Sequence, residues 1–172
     1  LSIKEPAEIG KNHGVYRVDG AGNVGGFLHK KTVNQLQELG AVDTQENVDI
    51  DTGAVILDSD ILKSLYSLID TDEKFSAYVN EKARLSFYAD FLYPLASSST
   101  LKQYYKETPE GDFTPELYTC RTELWKALHP YQMKLIRMSP AAFIHFGTTK
   151  ELLQLMTKRM EEFQYLGWNS HI

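Results

Sequence analysis

The first third of the chain contains short segments in which hydrophobic residues alternate with polar residues or glycine. Residues 13–18 (HGVYRV) and 23–28 (NVGGFL) flank the sequence Asp-Gly-Ala-Gly at residues 19–22. An Asp-Gly pair between two segments of high β propensity is typical of a hairpin turn. The pattern therefore predicts two antiparallel strands joined at residues 19–22.

The same glycines offer an alternative interpretation, because Gly20–Gly25 also match the dinucleotide-binding pattern G-x-G-x-x-G. That motif requires a strand that is apolar on both faces and a helix that begins among the glycines. Here Tyr16 and Arg17 alternate as in a half-exposed strand, and the best helix start is Thr32, the N-cap of VNQLQEL. The helix signal comes too late in the chain, so the hairpin is favoured over a dinucleotide loop.

The middle of the chain changes from strand-like to helical spacing. Residues 54–57 (AVIL) form a continuous apolar run, which predicts a buried strand. Apolar residues at helical spacing then predict three helices: one from Asp58 or Ser59 to about Asp70, one from Thr71 or Asp72, and one from about Ala83 to Ala96 that Pro94 ends or kinks.

The last third contains a helix that begins at Pro115 and runs through ELYTCRTELWKALH. Residues 131–138 (YQMKLIRM) and 141–146 (AAFIHF) are predicted strands. The longest helix of the chain, KELLQLMTKRMEEFQYL, follows a cap at Thr148 or Thr149. Strands and helices are therefore interleaved, which predicts an α/β or α+β fold, with α/β the class that we expect.

Composition narrows the functional classes. A chain of 172 residues with 42% hydrophobic and 24% charged residues is expected to form one globular unit rather than a disordered segment. The net charge of -5 argues against nucleic acid as a partner, and no apolar run is long enough to cross a membrane. Cys120 is the only cysteine, which excludes an intrachain disulfide and favours a cytoplasmic location.

Candidate chemistry lies where polar residues accompany glycine at predicted strand ends. The segments are His13-Gly14, Asp51-Thr52-Gly53 and His145 to Thr149, and Lys30 follows a strand. Side chains and backbone amides at such positions can reach a ligand beyond the edge of a sheet. We expect the strand ends that hold Gly14, Lys30, Asp51 and Gly147 to line a single cleft.

Each of these residues also has a purely structural interpretation. Asp51 is suited to form a turn by accepting a hydrogen bond from its own backbone two residues on. Lys30 and Lys31 match a solvated surface pair. Asp90 on an apolar helix face is typical of a paired carboxylate, and Thr148 is a natural helix cap.

Four segments in a fixed order, spread over about residues 12–157, resemble one enzyme family. The segments NHGVYRVDGAGNVGGFLHK, DIDTGAVILD, FYADFLYPLA and FIHFGTTKELL resemble those of the fucose-1-phosphate guanylyltransferases (GDP-fucose pyrophosphorylases), including the bifunctional fucokinase/GDP-fucose pyrophosphorylase proteins. The resemblance implies the C-terminal half of a nucleotidyltransferase-like (Rossmann-like) mixed sheet with flanking helices. Residues 1–139 would form the sugar-phosphate-binding half, and residues 140–172 a strand and a long helix at its end.

The resemblance also implies site residues. Lys30 would bind the sugar phosphate as the catalytic cation, Gly14 would offer its backbone to the sugar, and Asp51 and Thr52 would bind sugar hydroxyls. The other substrate-binding positions implied are His13, Gly53, His145 and Thr148.

This sequence departs from the family pattern at two positions. Lys31 stands where the family usually has proline, and His145 stands where many distant relatives have a metal-binding aspartate. The resemblance implies Mg²⁺ as a cofactor, and Asp90 is the best local substitute for the missing aspartate.

The activity implied is synthesis of GDP-fucose from fucose-1-phosphate and GTP, which would be the partners of the full-length protein. The resemblance to the bifunctional proteins also raises the expectation of fusion to a fucokinase. The family's glycine-rich, basic nucleotide-binding segment does not occur in residues 1–172. We therefore expect these residues alone to be catalytically inactive. The alternative from another class is a noncatalytic α/β interaction module whose glycines and polar residues only form turns and caps.

Overall fold

The computed structural model describes residues 1–142, 144, 147–157 and 167. The chain divides into two compact units, Leu1–Ala141 and Ala142–Ile172. The first contains a four-stranded antiparallel sheet with helices packed around it, and the second contains a helix. The α/β class predicted from the sequence is confirmed.

The sheet has the strand order β1-β4-β2-β3, and each strand pairs with its neighbour in antiparallel fashion. Its strands are β1 (Ser2–Pro6), β2 (Gly14–Val18), β3 (Val24–His29) and β4 (Asn47–Asp51). The helices are α1 (Ala7–Gly10), α2 (Val33–Glu38), α3 (Ser59–Tyr66), α4 (Asp72–Tyr78), α5 (Leu101–Tyr104), α6 (Pro115–Leu128) and α7 (Thr149–Thr157), with a π-helix at Phe87–Leu92 and a 3₁₀ turn at Tyr93–Leu95.

The predicted hairpin is confirmed as β2 and β3. The Asp19 carboxylate accepts hydrogen bonds from the backbone N–H groups of Ala21 and Asn23, each at 2.9 Å, and this fixes the turn. Gly22 has a φ of 82°, a left-handed conformation that glycine adopts without steric cost. The glycines thus form a turn and the start of β3, and the next helix, α2, begins only after Thr32.

The prediction of a strand at residues 54–57 is wrong. The strand lies one segment earlier, at β4, where Val48 and Ile50 are fully buried, whereas Ile56 is 74% exposed. β4 is central in the sheet and also buries Asp49 and Asp51. Because two aspartates interrupt its hydrophobic pattern, the apolar run that follows gave a stronger but misleading signal.

The predicted helix over residues 83–96 is also wrong in type. The backbone forms the π-helix and then the 3₁₀ turn that contains Pro94. Proline has no backbone N–H to donate, so regular α-helical bonding does not continue through this turn. By contrast, the predicted caps of α3 and α4 are confirmed at Asp58 and Thr71, although α3 ends at Tyr66 rather than near Asp70.

The segment predicted as a strand at residues 131–138 forms only isolated bridges, from Lys134 to Asn23 and from Arg137 to Ser2. The predicted strand at residues 141–146 includes positions outside the described residues. The helix predicted from Pro115 is confirmed as α6. No helix in the described ranges has both the length and the apolar character needed to cross a bilayer.

The two faces of the sheet are covered differently. On one face, Tyr16, Val24 and Phe27 pack against Leu92 of the π-helix. On the other face, α1 approaches so closely that a Cβ on Gly10 would lie 2.6 Å from Cγ2 of Val48. These layers cover both faces of the sheet and leave the outer edge of β3 facing a cleft.

Candidate functional site

A cleft of about 600 Å³, here called the β3 cleft, runs along the outer edge of β3. All five residues from Gly25 to His29 line it. Since successive side chains of a strand point to opposite faces, a continuous run of lining residues shows that the strand edge itself faces the cleft. The cleft is also lined by Ser86, Tyr88, Ala89, Tyr93, Ala96, Ser98, Ser99, Gln103 and residues 107–110.

The edge of β3 presents backbone groups to this cleft. The Lys30 N–H donates to the His13 carbonyl at 3.3 Å. Because hydrogen-bonded positions alternate along an antiparallel pair, this bond shows that the even-numbered residues at this end of β3 bond to β2. The alternate residues Phe27 and His29 therefore direct their N–H and C=O groups outward. Two residues before Phe27, on the same edge of β3, the Gly25 carbonyl accepts a hydrogen bond from the Ser98 N–H at 3.3 Å. The cleft thus offers both donors and acceptors along an open strand edge.

One wall of the cleft consists of three stacked rings, Phe27, Tyr88 and His29, here called the aromatic wall. The rings of Phe27 and Tyr88 are parallel within 1°, with centroids 5.3 Å apart. The His29 and Tyr88 rings have centroids 5.8 Å apart at an interplanar angle of 18°. A flat apolar surface beside polar backbone groups is the usual composition of a small-molecule site.

The cleft also contains cationic side chains. Arg17 lines it, and its Nη2 donates to the Gly25 carbonyl at 3.2 Å and to the Ser98 hydroxyl. Lys31 lines it near the end of β3. Among the described residues, neither cation has a carboxylate within ion-pair distance. Both positive charges are therefore available to an anionic ligand.

Two titratable groups of the cleft have shifted pKa values. Burial, followed by the charges of Lys30 and Lys31, lowers the pKa of His29, whereas Asp51 and Glu110 act in the opposite direction. Burial raises the pKa of Glu107, although Lys31 partly offsets this. Both shifts favour the uncharged form of the group, as partial desolvation requires.

Three of the predicted site residues come together beside the aromatic wall. The Asp51 carboxylate is 6% exposed and accepts the Tyr16 hydroxyl at 2.6 Å and the Gly53 N–H at 3.1 Å. Burial, the charge of Asp51 and a hydrogen bond to it raise the pKa of Tyr88. A Cβ on Gly14 would lie 3.3 Å from Cβ of Asp51. Asp51 thus lies between Gly14 and Gly53, and a Cβ on Gly53 would lie 3.9 Å from the Tyr88 hydroxyl.

The turn after β4 holds the other predicted hydroxyl. The Thr52 hydroxyl donates to the Leu1 carbonyl at 3.0 Å. His13 precedes β2, is half-buried and accepts a backbone hydrogen bond from Lys30. These contacts fix the backbone near the cleft, and neither Thr52 nor His13 lines it.

The two consecutive lysines occupy different surroundings. Lys30 is exposed and lines a second, open cleft of about 450 Å³, here called the lysine cleft, together with Lys11, Asn12 and Thr32. Lys31 is half-buried and lines both this cleft and the β3 cleft. Lys30 has a φ of 50°, a left-handed backbone conformation that is uncommon for residues other than glycine. Of the two lysines, Lys31 is therefore the one that lines the β3 cleft.

Asp90 does not fit the role of a metal ligand. Its side chain is fully buried, and its Oδ1 accepts Nε of Arg121 at 2.7 Å while its Oδ2 accepts the Ser86 N–H at 2.6 Å. A guanidinium in direct contact repels a cation. The residues described contain no cluster of three or more His, Cys, Asp or Glu side chains suited to a metal ion.

The last predicted site residues lie in the second unit. Thr148 caps α7, because its hydroxyl accepts the Glu151 N–H at 3.2 Å while the Glu151 carboxylate accepts the Thr148 N–H at 2.9 Å. Gly147 is exposed, and His145 lies outside the described residues.

Sequence reasoning did not single out Arg17, His29 or Tyr88 as site residues. Tyr88 lies in FYADFLYPLA, one of the segments that carried the family resemblance, so that signal existed. A π-helix is frequent at functional sites, but this irregularity is not visible in the sequence. Arg17 had no local signal, because its importance depends on the β3 edge and Ser98, which the fold brings to it.

Comparison with known proteins identifies the family. The model of the fucose pyrophosphorylase domain matches residues 1–172. No curated protein and no solved structure shows significant similarity to the chain. The match spans both the β3 cleft and the turn at Asp51, and it agrees with the resemblance carried by the four sequence segments. The chain belongs to the fucose pyrophosphorylase domain family.

Proposed function

We propose that this chain is part of a sugar-1-phosphate guanylyltransferase that makes GDP-fucose from fucose-1-phosphate and GTP, and that the β3 cleft binds fucose-1-phosphate. The observation that carries the proposal is the family match over residues 1–172. The geometry of the cleft supports it, because the site combines apolar, hydrogen-bonding and cationic surfaces.

Each part of fucose-1-phosphate has a counterpart in the cleft. The volume of about 600 Å³ lies within the range of small-molecule sites. The aromatic wall supplies apolar contact area for the sugar. Outward backbone groups of Phe27 and His29 can exchange hydrogen bonds with sugar hydroxyls. Arg17 and Lys31 give the cleft positive charge, which favours an anionic ligand such as a sugar phosphate.

In the proposed reaction, a phosphate oxygen of fucose-1-phosphate attacks the α-phosphorus of GTP in line. A new P–O bond forms, the bond between the α-phosphorus and the bridging oxygen breaks, and pyrophosphate leaves. The nucleophile belongs to the substrate, so no covalent enzyme intermediate is needed. The contribution of this chain is to bind and orient the sugar phosphate, which removes much of the entropic cost of the encounter.

Titration of the chain with fucose-1-phosphate, followed by NMR, tests the proposal. We expect the amide signals of Phe27, His29 and Tyr88 to shift in a saturable manner. Tyr88→Ala should weaken binding roughly tenfold, since it removes the centre of the aromatic wall. Tyr66→Ala is the matched control, because Tyr66 is 66% exposed on α3 and does not line the β3 cleft.

The contrary outcome favours a noncatalytic interaction module. Absence of saturable shifts, or shifts confined to residues away from the β3 cleft, would contradict sugar-phosphate binding at this site. Equal effects of Tyr88→Ala and Tyr66→Ala would contradict the assignment of the aromatic wall.

A further inference from the structure

We propose that Lys31, rather than its neighbour Lys30, binds the phosphate group of the sugar phosphate. The inference rests on the proposed function, and it assigns the anion-binding end of the β3 cleft to one residue. It departs from the family resemblance, which places this role on Lys30.

The backbone at the end of β3 separates the two lysines. In a regular strand they would simply alternate between the faces of the sheet, but Lys30 adopts a left-handed conformation just after His29. Lys30 lines the lysine cleft and not the β3 cleft, whereas Lys31 lines both. Of the two, Lys31 alone shares a cleft with Phe27 and Tyr88.

Burial also distinguishes the two ammonium groups. Lys31 is half-buried, whereas Lys30 is exposed. A charge that is partly removed from water interacts more strongly with an opposite charge than a fully solvated one does. Lys31 has no carboxylate within ion-pair distance among the described residues, so its charge is not already neutralised.

The groups around Lys31 include some that tolerate a phosphate and one acidic group that opposes it. Burial and then the charges of Lys30 and Lys31 lower the pKa of the nearby His29, whereas the charge of Lys31 opposes the rise that burial causes in the pKa of Glu107. Glu110 also lines this cleft, so the entering anion meets an acidic group as well. An ammonium that tolerates this partly desolvated position gains most from a dianionic partner.

The position of Lys31 also sets the direction of the ligand. Lys31 follows His29 by two residues, and His29 stacks on Tyr88. A phosphate held by Lys31 therefore places the attached sugar ring along the aromatic wall, towards Phe27. Arg17, opposite Gly26 in the strand register, marks the other end of the cleft.

The test compares Lys31→Ala with Lys30→Ala, two substitutions of the same residue type at adjacent positions. Binding of fucose-1-phosphate, inorganic phosphate and neutral fucose is measured by isothermal titration at two salt concentrations. For Lys31→Ala we expect at least tenfold weaker binding of fucose-1-phosphate, a smaller salt dependence and unchanged affinity for fucose. For Lys30→Ala we expect a change of less than about twofold. Lys31→Arg, which keeps the charge, should retain most of the affinity.

The outcomes separate this inference from the proposed function. Loss of binding in Lys30→Ala equal to or larger than that in Lys31→Ala overturns the assignment, as does unchanged affinity in Lys31→Ala. If the unmodified chain binds inorganic phosphate through Lys31 but does not bind fucose-1-phosphate, the anion site stands and the proposed function fails. An NMR spectrum of each variant that retains the dispersion of the unmodified chain shows that the fold is intact.

Discussion

At the scale of single residues, Gly14 shows how a glycine can be required for packing. A Cβ at this position would lie 2.4 Å from Cζ of Phe27, which is too close for any real contact. The Phe27 ring cannot move away freely, because it stacks on Tyr88. The resemblance gave Gly14 a backbone role towards the sugar, and its contacts add a steric role beneath the aromatic wall.

We predict that Gly14→Ala lowers the free energy of unfolding by about 1–3 kcal/mol, the usual cost of overpacking. Urea unfolding measures this change, and near-UV circular dichroism should report the displaced aromatic rings. Gly20→Ala is the control, because nothing lies within 4 Å of a Cβ there. Equal stability of the two variants would show that the ring relaxes without cost.

The buried pair of Asp90 and Arg121 gives a second prediction at this scale. Arg121 also donates from Nη1 to the carbonyls of Tyr104 and Glu107, at 3.1 and 2.9 Å. Arg121→Met should reduce the free energy of unfolding by about 3–5 kcal/mol, because the Asp90 carboxylate is left buried without its partner.

Chemical denaturation of the single variants and the double variant Asp90→Asn/Arg121→Met checks this prediction. The double variant should lose less stability than the sum of the single losses, with a coupling of at least about 1 kcal/mol. Simple additivity would show that the pair does not interact energetically.

At the scale of elements, helix caps give the clearest expectations. Thr114 caps α6: its hydroxyl accepts the Leu117 N–H at 3.0 Å and donates to the Lys82 carbonyl at 2.6 Å. We predict that Thr114→Ala lowers the free energy of unfolding by about 1 kcal/mol. Thr119→Ala is the matched control within α6, since that hydroxyl only bonds back to the Pro115 carbonyl. Thermal unfolding of both variants measures the difference, and an equal loss would contradict a specific capping role.

Caps and the hairpin were predictable from the sequence because their signals are local. Thr32, Asp58 and Thr71 each bond to backbone within three residues of themselves. β4 and the π-helix were not predictable in the same way. The aspartates of β4 are accommodated by partners far along the chain, such as Arg137, which binds Asp49 at 2.7 and 2.9 Å. The spacing of hydrophobic residues carries no information about such distant ion pairs, so it could not reveal a strand that contains buried aspartates.

At the scale of the whole molecule, the stability of the fold at low pH depends on carboxylates that accept hydrogen bonds within turns. The pKa of Asp43 is lowered to about 2 from 3.8 by hydrogen bonds with Lys4 and with the backbone of Asn47 and Gln45. A carboxylate with a depressed pKa in the folded state stabilises the fold above its ordinary pKa, and this stability is lost as the pH falls. We predict a loss between about pH 4 and pH 2.

Unfolding free energies measured across this pH range should show a smaller pH dependence for Asp43→Asn than for the unmodified chain. Asp19 and Glu116 also have lowered pKa values and contribute in the same direction. Glu107 acts oppositely, because its raised pKa favours the folded state at lower pH. An unchanged slope for Asp43→Asn would show that Asp43 does not govern acid stability.

The fold class and the family followed from the sequence as a whole, whereas the arrangement of the candidate site did not. Four short segments in a fixed order were enough for the family. The strand order β1-β4-β2-β3, which places β3 at an edge, depends on pairings between residues up to about fifty positions apart. The cleft exists because of that edge, so its lining could not be inferred from any single motif.

The left-handed residue at the end of β3 has an evolutionary consequence. It places two neighbouring basic side chains in different surroundings, so a one-residue insertion before it would move Lys30 into the position that Lys31 now occupies. Transfer of a functional lysine between relatives by letter-for-letter alignment is therefore least secure at this point. Backbone handedness at residue 30, rather than the identity of the aligned residue, decides which of the two ammonium groups lines the β3 cleft.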